Sequence, residues 1–368
     1  MVYFSTRCLH RVSFLFCFHD INETQAHVRP RFNSYNHWYH VQKRTSKNHE
    51  IVATETYGTS RSCALVGCGQ WGRNLLSNLQ EIDALYGVAD SDLKRRQWLS
   101  NTHRNLICES DYRKLLDNRA VKAVVVATPA VTHYRVVRDA LLAGKDVFVE
   151  KPLALSSMEG LELVQLAEKY DRVLMVGHLL LYQPAIHRIR QLIEEGRIGA
   201  LQELHQKRFG SGPIREVENV LWCLGSHDLA VQLYLLGKPP QKVRCHRRFV
   251  QQHRVEDDVH LFLEYLGGIR THLHVSWVTG KKCRQLSLRG TAGTLVYDEV
   301  EQTLSIERKS AAGAIDREII LHGHPRPLTL ELMEFLRCVE DRQPPLSDGR
   351  DALKVIELIE TAMASDAA

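Results

Sequence analysis

The chain has 368 residues, 44% hydrophobic and 25% charged, the balance of a globular protein of about two domains. No apolar run approaches the ~20 residues that a membrane-spanning helix needs. The net charge of +5 is too small for a nucleic-acid-binding surface, and residues 1–60 supply +3 of it. The nine cysteines are odd in number and show no CxxC spacing, so they read as small buried thiols in a reducing cytoplasm. The nineteen histidines contain no HExxH, and no metal site is expected.

Residues 1–60 hold six histidines and ten aromatic residues but no lasting helical or strand period. Val12 to Phe18 is apolar, yet too short and too poorly flanked by small residues for a signal peptide. This segment reads as a leader, disordered or wrongly included, and the fold is expected to begin at Arg61.

Cys63 to Val66 reads as a buried strand running into Gly67-x-Gly69-x-x-Gly72, followed by a helix with Leu75, Leu76, Leu79 and Ile82 on one face. Strand, glycine turn and helix in that order form the context in which such glycines bind a dinucleotide. Gly67 makes the turn, Gly69 admits a pyrophosphate, and Gly72 lets the helix lie close on the strand. The phosphates then meet free N–H groups at the positive end of the helix dipole. A strand from Ala84 to Ala89 ends in Asp90, 21 residues beyond Gly69. An acid there accepts hydrogen bonds from the adenosine ribose and repels a 2′-phosphate, favouring NAD over NADP. Arg95 and Arg96 follow closely and could instead accommodate a phosphate.

Val121 to Ala127 is a continuous β-branched strand, as expected of one buried on both faces. Thr132 can cap the next helix, which Gly144 stops. Asp146 to Val149 is a strand ending in Glu150-Lys151-Pro152, and Ser156-x-x-Glu159 is a capping box. Arg172 to Gly177 gives a further strand, and Pro184 opens a helix. From Ile198 onward short runs have period-2 character, Gly267-Gly268 marks a hairpin turn, and a helix spans about Gly225 to Leu236. Helices over Leu328–Glu340 and Asp348–Met363 end the chain.

The expected fold is therefore α/β: an N-terminal Rossmann doubly wound parallel sheet over 61–180, and an α+β domain with a mostly antiparallel open sheet over 181–368. The last two helices can pack back on the first domain.

Lys151 lies at the carboxyl end of a parallel strand, the edge where open α/β sheets bind ligands. On spacing alone it is equally well a surface lysine. Thr128 and Pro129 end the neighbouring strand. His227 is a natural acid/base group near neutral pH, although a histidine at a helix start is more often structural. His178 and Tyr182 follow the strand ending at Gly177 and are expected near the junction between domains.

From Arg61 to about Met363 the chain resembles the Gfo/Idh/MocA oxidoreductases, the glucose–fructose oxidoreductase and inositol dehydrogenase family. The matching residues are Gly67-Cys-Gly-Gln-Trp-Gly72, Ala127-Thr-Pro129 with His133, Glu150-Lys-Pro152, and Gly225-Ser-His-Asp228 ahead of Leu236-Gly237. Ser276-Trp277 and Gly290-Thr-Ala-Gly293 match in the second sheet. The resemblance implies NAD as cofactor, held by Gly67, Gly69, Gln70, Trp71, Gly72, Asp90, Thr128, Pro129, His133, Glu150 and Lys151. It implies Lys151 as the catalytic lysine, polarising or deprotonating the reacting hydroxyl, and His227 as the second acid/base residue.

Two departures bear on substrate. Many polyol-oxidising members carry an aspartate four residues before the histidine, where this chain has Cys223. They also often have Asn and Arg where Leu179 and Leu181 stand. Val176 to Tyr182 and Glu218-Asn-Val-Leu-Trp222 are similar instead to the branch acting on nucleotide sugars. That similarity implies oxidation at C3 of a UDP-N-acetylhexosamine, with His178, Tyr182, Arg215 and Asp228 as substrate contacts. Arg208, Arg284, Lys281 and Lys282 are further candidates for the UDP phosphates. A UDP-N-acetylglucosaminuronate 3-oxidase, another sugar or polyol dehydrogenase, and a non-catalytic NAD-binding regulator are the alternatives. The expected partners are a small sugar substrate and further copies of the chain, with neither nucleic acid nor membrane.

Overall fold

The structure, a computed structural model, describes residues 61–210, 217–251, 253–323 and 326–365. The expectations for residues 1–60 and for Arg215 lie outside them. Two sheets organise the described residues, one of six strands and one of eight.

The first sheet is built from β1 (Cys63–Val66), β2 (Leu85–Ala89), β3 (Ile107–Glu109), β4 (Ala123–Val126), β5 (Asp146–Glu150) and β6 (Leu174–Gly177). Its order is β3-β2-β1-β4-β5-β6, and every pairing is parallel. The order reverses between β1 and β4, which leaves a crevice at their carboxyl ends. These strands read as unbroken apolar runs because helices cover both faces. Val124, Val125 and Val126 are wholly buried, each contributing ~1.5–3 kcal/mol by leaving water.

Intervening helices are α1 (Gln70–Glu81), α2 (Leu93–Thr102), α3 (Arg113–Leu116), α4 (His133–Leu142), α5 (Ser157–Lys169) and α6 (Pro184–Glu194). Helix α1 buries Gly72, Leu75, Leu76 and Leu79. Ser156 caps α5 by accepting from the Glu159 N–H at 3.2 Å, as the capping box predicts. Thr132 departs from expectation. Its hydroxyl turns back to Thr128 Oγ1 at 2.8 Å and the Pro129 carbonyl at 2.7 Å, and makes no cap bond to α4.

The second sheet comprises β7 (Leu201–Phe209), β8 (Lys242–Arg248), β9 (Asp258–Glu264), β10 (Arg270–Ser276), β11 (Cys283–Gly290), β12 (Thr294–Asp298), β13 (Thr303–Lys309) and β14 (Ile315–His322). Their order is β14-β13-β12-β11-β7-β10-β9-β8, antiparallel except for the parallel pair β7 and β10. Gly267 and Gly268, at φ +91° and +79°, form the expected turn between β9 and β10. Period-2 alternation sends Leu204, Leu261, Leu263, Leu273 and Val275 to the buried face. On the opposite face lie His260, Phe262, His272 and His274.

Between β7 and β8 a π-turn, Leu221–Gly225, leads directly into α7 (Ser226–Leu236). The last helices, α8 (Pro327–Asp341) and α9 (Gly349–Ala364), return to the first sheet. Thr329 Oγ1 donates to Asn78 Oδ1 on α1 at 2.6 Å, and Arg342 forms a 2.9 Å ion pair with Asp146 at the start of β5. Among the described residues no helix is long and apolar enough to cross a membrane.

Candidate active site

The crevice begins at the glycine turn. Gly67 has φ +95°, and a Cβ there would stand 2.6 Å from the Ala127 carbonyl oxygen. A Cβ on Gly72 would meet the Gly67 carbonyl oxygen at 2.2 Å. Both positions therefore require glycine for the fold itself. Gly69 differs, since the nearest atom to a Cβ there is Arg95 Nη1 at 3.8 Å. The room above Gly69 serves no internal packing. Helix α1 starts there without a side-chain cap and without an acid in its first turn, so its leading N–H groups and positive dipole end face the crevice. Gln70 and Trp71 are exposed beside it.

Asp90, at the tip of β2, is 5% exposed. Its Oδ2 accepts from the Cys68 N–H at 2.7 Å and lies 3.4 Å from Arg95 Nη1, while Oδ1 accepts from the Asp92 N–H at 2.8 Å. Arg96 donates to the Asp90 and Ser91 carbonyls, each at 2.8 Å. Both arginines after β2 thus have partners around Asp90. Glycine turn, uncapped helix and acid together fit the pyrophosphate and ribose of a dinucleotide.

His133, 1% exposed, is set back from the crevice. Its Nδ1 is 2.7 Å from the Pro152 carbonyl and its Nε2 2.8 Å from the Thr128 carbonyl. It ties together the ends of β4 and β5, where Thr128, Pro129 and Glu150-Lys151-Pro152 lie. Burial holds its pKa down, while the two carbonyls pull the other way.

Glu150 closes β5. Trp71 Nε1 donates to its Oε1, and a Cβ on Gly177 would stand 3.0 Å from its Oε2. Behind it Glu331, on α8, is wholly buried, with neither carboxylate oxygen hydrogen-bonded. Burial, then the charge of Glu150, hold the Glu331 carboxyl well above the usual range, and burial likewise raises Glu150.

Lys151 follows a Glu150 held in this way, and the Lys151–Pro152 peptide is cis. Its Nζ donates to the Cys223 carbonyl at 2.6 Å, joining the first sheet's edge to the π-turn that precedes His227. The His178 and His227 rings meet edge to face at 6.2 Å between centroids. Neither Nδ1 is hydrogen-bonded. Burial, then the Lys151 charge, push His227 well below the ordinary histidine value and bring His178 down to about 4. Both imidazoles are neutral near pH 7.

The other predicted contacts are engaged in buried hydrogen bonds or lie at the surface. The Tyr182 hydroxyl is buried and pairs with Ser347 Oγ at 3.0 Å, away from the lysine. Asp228 is 3% exposed and accepts from Arg208 Nε at 2.7 Å and Gln206 Nε2 at 3.2 Å. Arg208 also pairs with Glu299 at 2.9 Å, which in turn accepts from Arg284 at 2.7 Å. Arg208 is therefore a buried cation held between two carboxylates, close enough to His227 for its charge to act on that imidazole. Lys281 and Lys282 are exposed. Leu181, at a position expected to face substrate, is 3% exposed in the core.

Comparison with known proteins agrees with this geometry. Residues 61–178 match the model of an oxidoreductase family with an NAD-binding Rossmann fold, and residues 186–296 match the GFO/IDH/MocA C-terminal domain. UDP-N-acetylglucosamine 3-dehydrogenase of Acidithiobacillus ferrooxidans is 26% identical over 302 residues, covering 79% of this chain and 93% of that protein. Its solved structure superposes with a TM-score of 0.74 at 25% identity, covering 82% of this chain and 97% of that one. The scyllo-inositol 2-dehydrogenase (NAD(+)) of Bacillus subtilis is 24% identical over 80% of this chain and 91% of its own length. An Agrobacterium radiobacter oxidoreductase solved with NAD+, L-tartaric acid and magnesium shares the fold, with a TM-score of 0.74 at 20% identity over 83% of this chain and 96% of that one.

Proposed function

This chain belongs to the Gfo/Idh/MocA family of NAD-binding sugar and polyol oxidoreductases, and on that premise we propose that it oxidises the C3 hydroxyl of a UDP-N-acetylhexosamine to a ketone. NAD, when bound, supplies the two-electron acceptor and takes hydride at the nicotinamide C4. Gly69 and the α1 N-terminus would hold its pyrophosphate, and Asp90 would hold the adenosine ribose.

The observation that carries the assignment of roles is the contact between Lys151 Nζ and the Cys223 carbonyl. It sets a cation from the dinucleotide half beside the segment that delivers His227. The Lys151 ammonium stabilises the alkoxide that develops as the hydroxyl ionises, and the neutral His227 imidazole accepts the proton. Glu150, fixed by Trp71, orients the lysine. Arg208 and Asp228 hold the floor of the site.

The choice of a UDP-linked amino sugar rests on the A. ferrooxidans relative and on Leu179, a half-buried leucine that offers a free polyol no polar partner. A purified sample given NAD and a panel of UDP sugars and inositols should form NADH fastest with UDP-N-acetylglucosamine. Faster turnover of an inositol would reject the substrate and leave the chemistry standing.

A further inference from the structure

A second cluster of titratable side chains lies on the outer face of the eight-stranded sheet, apart from the dinucleotide crevice. His260 on β9 and His274 on β10 are cross-strand neighbours whose rings stack at 3.7 Å between centroids. Asp258 lies two residues before His260, on the same face. His274 Nε2 is 3.2 Å from its Oδ2, and His260 Nε2 is 3.7 Å from its Oδ1. The Asp258 residue is 4% exposed, and yet its Oδ1 has no hydrogen-bond partner. Ser276 and His274 hydrogen-bond the carboxylate, which leaves this oxygen with only the more distant His260 nitrogen beside it. Arg248, opposite Asp258 on β8, forms no ion pair with it among the described contacts.

We propose that Asp258, His260 and His274 form a binding site for a divalent first-row transition-metal ion of the zinc class. Their three ligand atoms lie within 4.8 Å of one another. Bonds of ~2.0–2.1 Å in a tetrahedral site separate ligand atoms by ~3.4 Å, so the three atoms must draw together from within 4.8 Å, and the stacked rings must rotate apart for both nitrogens to face one ion. Two imidazoles and a carboxylate, without thiolate, suit zinc, nickel or copper(II). His272 completes the arrangement from outside. Its Nε2 is 3.1 Å from His260 Nδ1, so a proton on that Nδ1 is held there and Nε2 is left to ligate. The side chains of His260 and His274 are 29% and 18% exposed, which gives an ion entry from solvent and leaves its remaining position to water. Bound there, the ion fastens β9 to β10.

The test is calorimetric titration of the EDTA-stripped full chain with zinc alone, with NAD affinity measured alongside as the check that each variant is folded. The chain holds nineteen histidines, so the comparison between parent and variants decides. The expected result is one tight equivalent in the parent, weakened at least ~100-fold in the double variant His260→Ala/His274→Gln and ~10–100-fold in His272→Ala. Zinc affinity unchanged in the double variant, or a parent that takes up no zinc at micromolar concentration, overturns the proposal. A single variant, His274→Gln, retains the buried Asp258 and must by itself reproduce most of the loss.

Discussion

Lys151 Nζ and the Cys223 carbonyl oxygen stand 2.6 Å apart, although 72 residues separate them in sequence. A lysine that ends a strand of one sheet is thus docked on the connection between two strands of the other. Reach to both the crevice and the His227 helix follows from that contact.

Replacing Lys151 by Met removes the cation and keeps the stem. Turnover should fall ~10²–10⁴-fold, the range for losing a general acid/base group, while NAD affinity changes little. Stopped-flow NADH absorbance and a separate NAD titration measure the two. Turnover within threefold of the parent would take Lys151 out of the chemistry.

The pH profile carries a sign set by burial. His227 is held well below the ordinary histidine value, so it remains neutral, and able to accept a proton, as pH falls through 6.5. The kcat/KM profile should therefore show no acid limb near ~6.5, where an exposed histidine would produce one. A limb at that pH, abolished in His227→Gln, would mean that the imidazole is solvated in the working enzyme.

Gly69 and Gly72 should separate binding from folding. Gly69→Ala has room for its methyl group and should leave thermal stability nearly unchanged while weakening NAD. Gly72→Ala drives a methyl into the Gly67 carbonyl and should fail as a folded protein. Melting curves and NAD titrations distinguish them, and equal melting temperatures for the two would contradict the close approach of α1 to the turn.

Glu331 supplies a stability test. Its folded pKa is raised, so the folded state binds the proton more tightly than the unfolded one. The stability from this group is complete below the unfolded carboxyl pKa of ~4.3 and declines as pH rises through the interval up to the folded value. Glu331→Gln keeps the shape and abolishes the titration. Chemical denaturation between about pH 5 and 8 should show the variant gaining on the parent as pH rises, and parallel curves would exclude the effect.

The Arg208 cluster predicts a larger loss. Arg208→Met strands Asp228 and Glu299 without their shared cation, and breaking a buried pair in this way costs ~3–5 kcal/mol. A double change to Arg208→Met/Asp228→Leu should recover part of it, as read from denaturant midpoints.

The parts of the site readable from sequence are those whose partners are neighbours along the chain. Gly67 to Gly72, Asp90 and Glu150-Lys151-Pro152 each sit at a strand end, where spacing and strand period give both position and chemistry. Partners on distant strands leave no such trace. Asp228 meets Arg208 and Arg208 meets Glu299 only because β7 and the end of β12 face α7, and no local spacing announces that cluster. Tyr182 pairs with Ser347, 165 residues away. The Asp258 cluster was hidden likewise, since D-x-H and H-x-H on adjoining strands become one site only in register. In the fold, β3 carries no period, with Ile107 exposed and Cys108 and Glu109 half-buried, and the parallel pairing of β7 with β10 has no local signal.

That parallel pair has an architectural result. A chain that leaves β7 and later runs alongside it in the same direction must first make an excursion, and here the excursion includes the π-turn, Cys223 and His227. That excursion is tied back to the sheet, since Asp228 on α7 accepts from Arg208 on β7 and the chain goes on to supply β8 and β9. A graft of this segment between relatives must therefore carry the partners of Arg208 and Asp228 together.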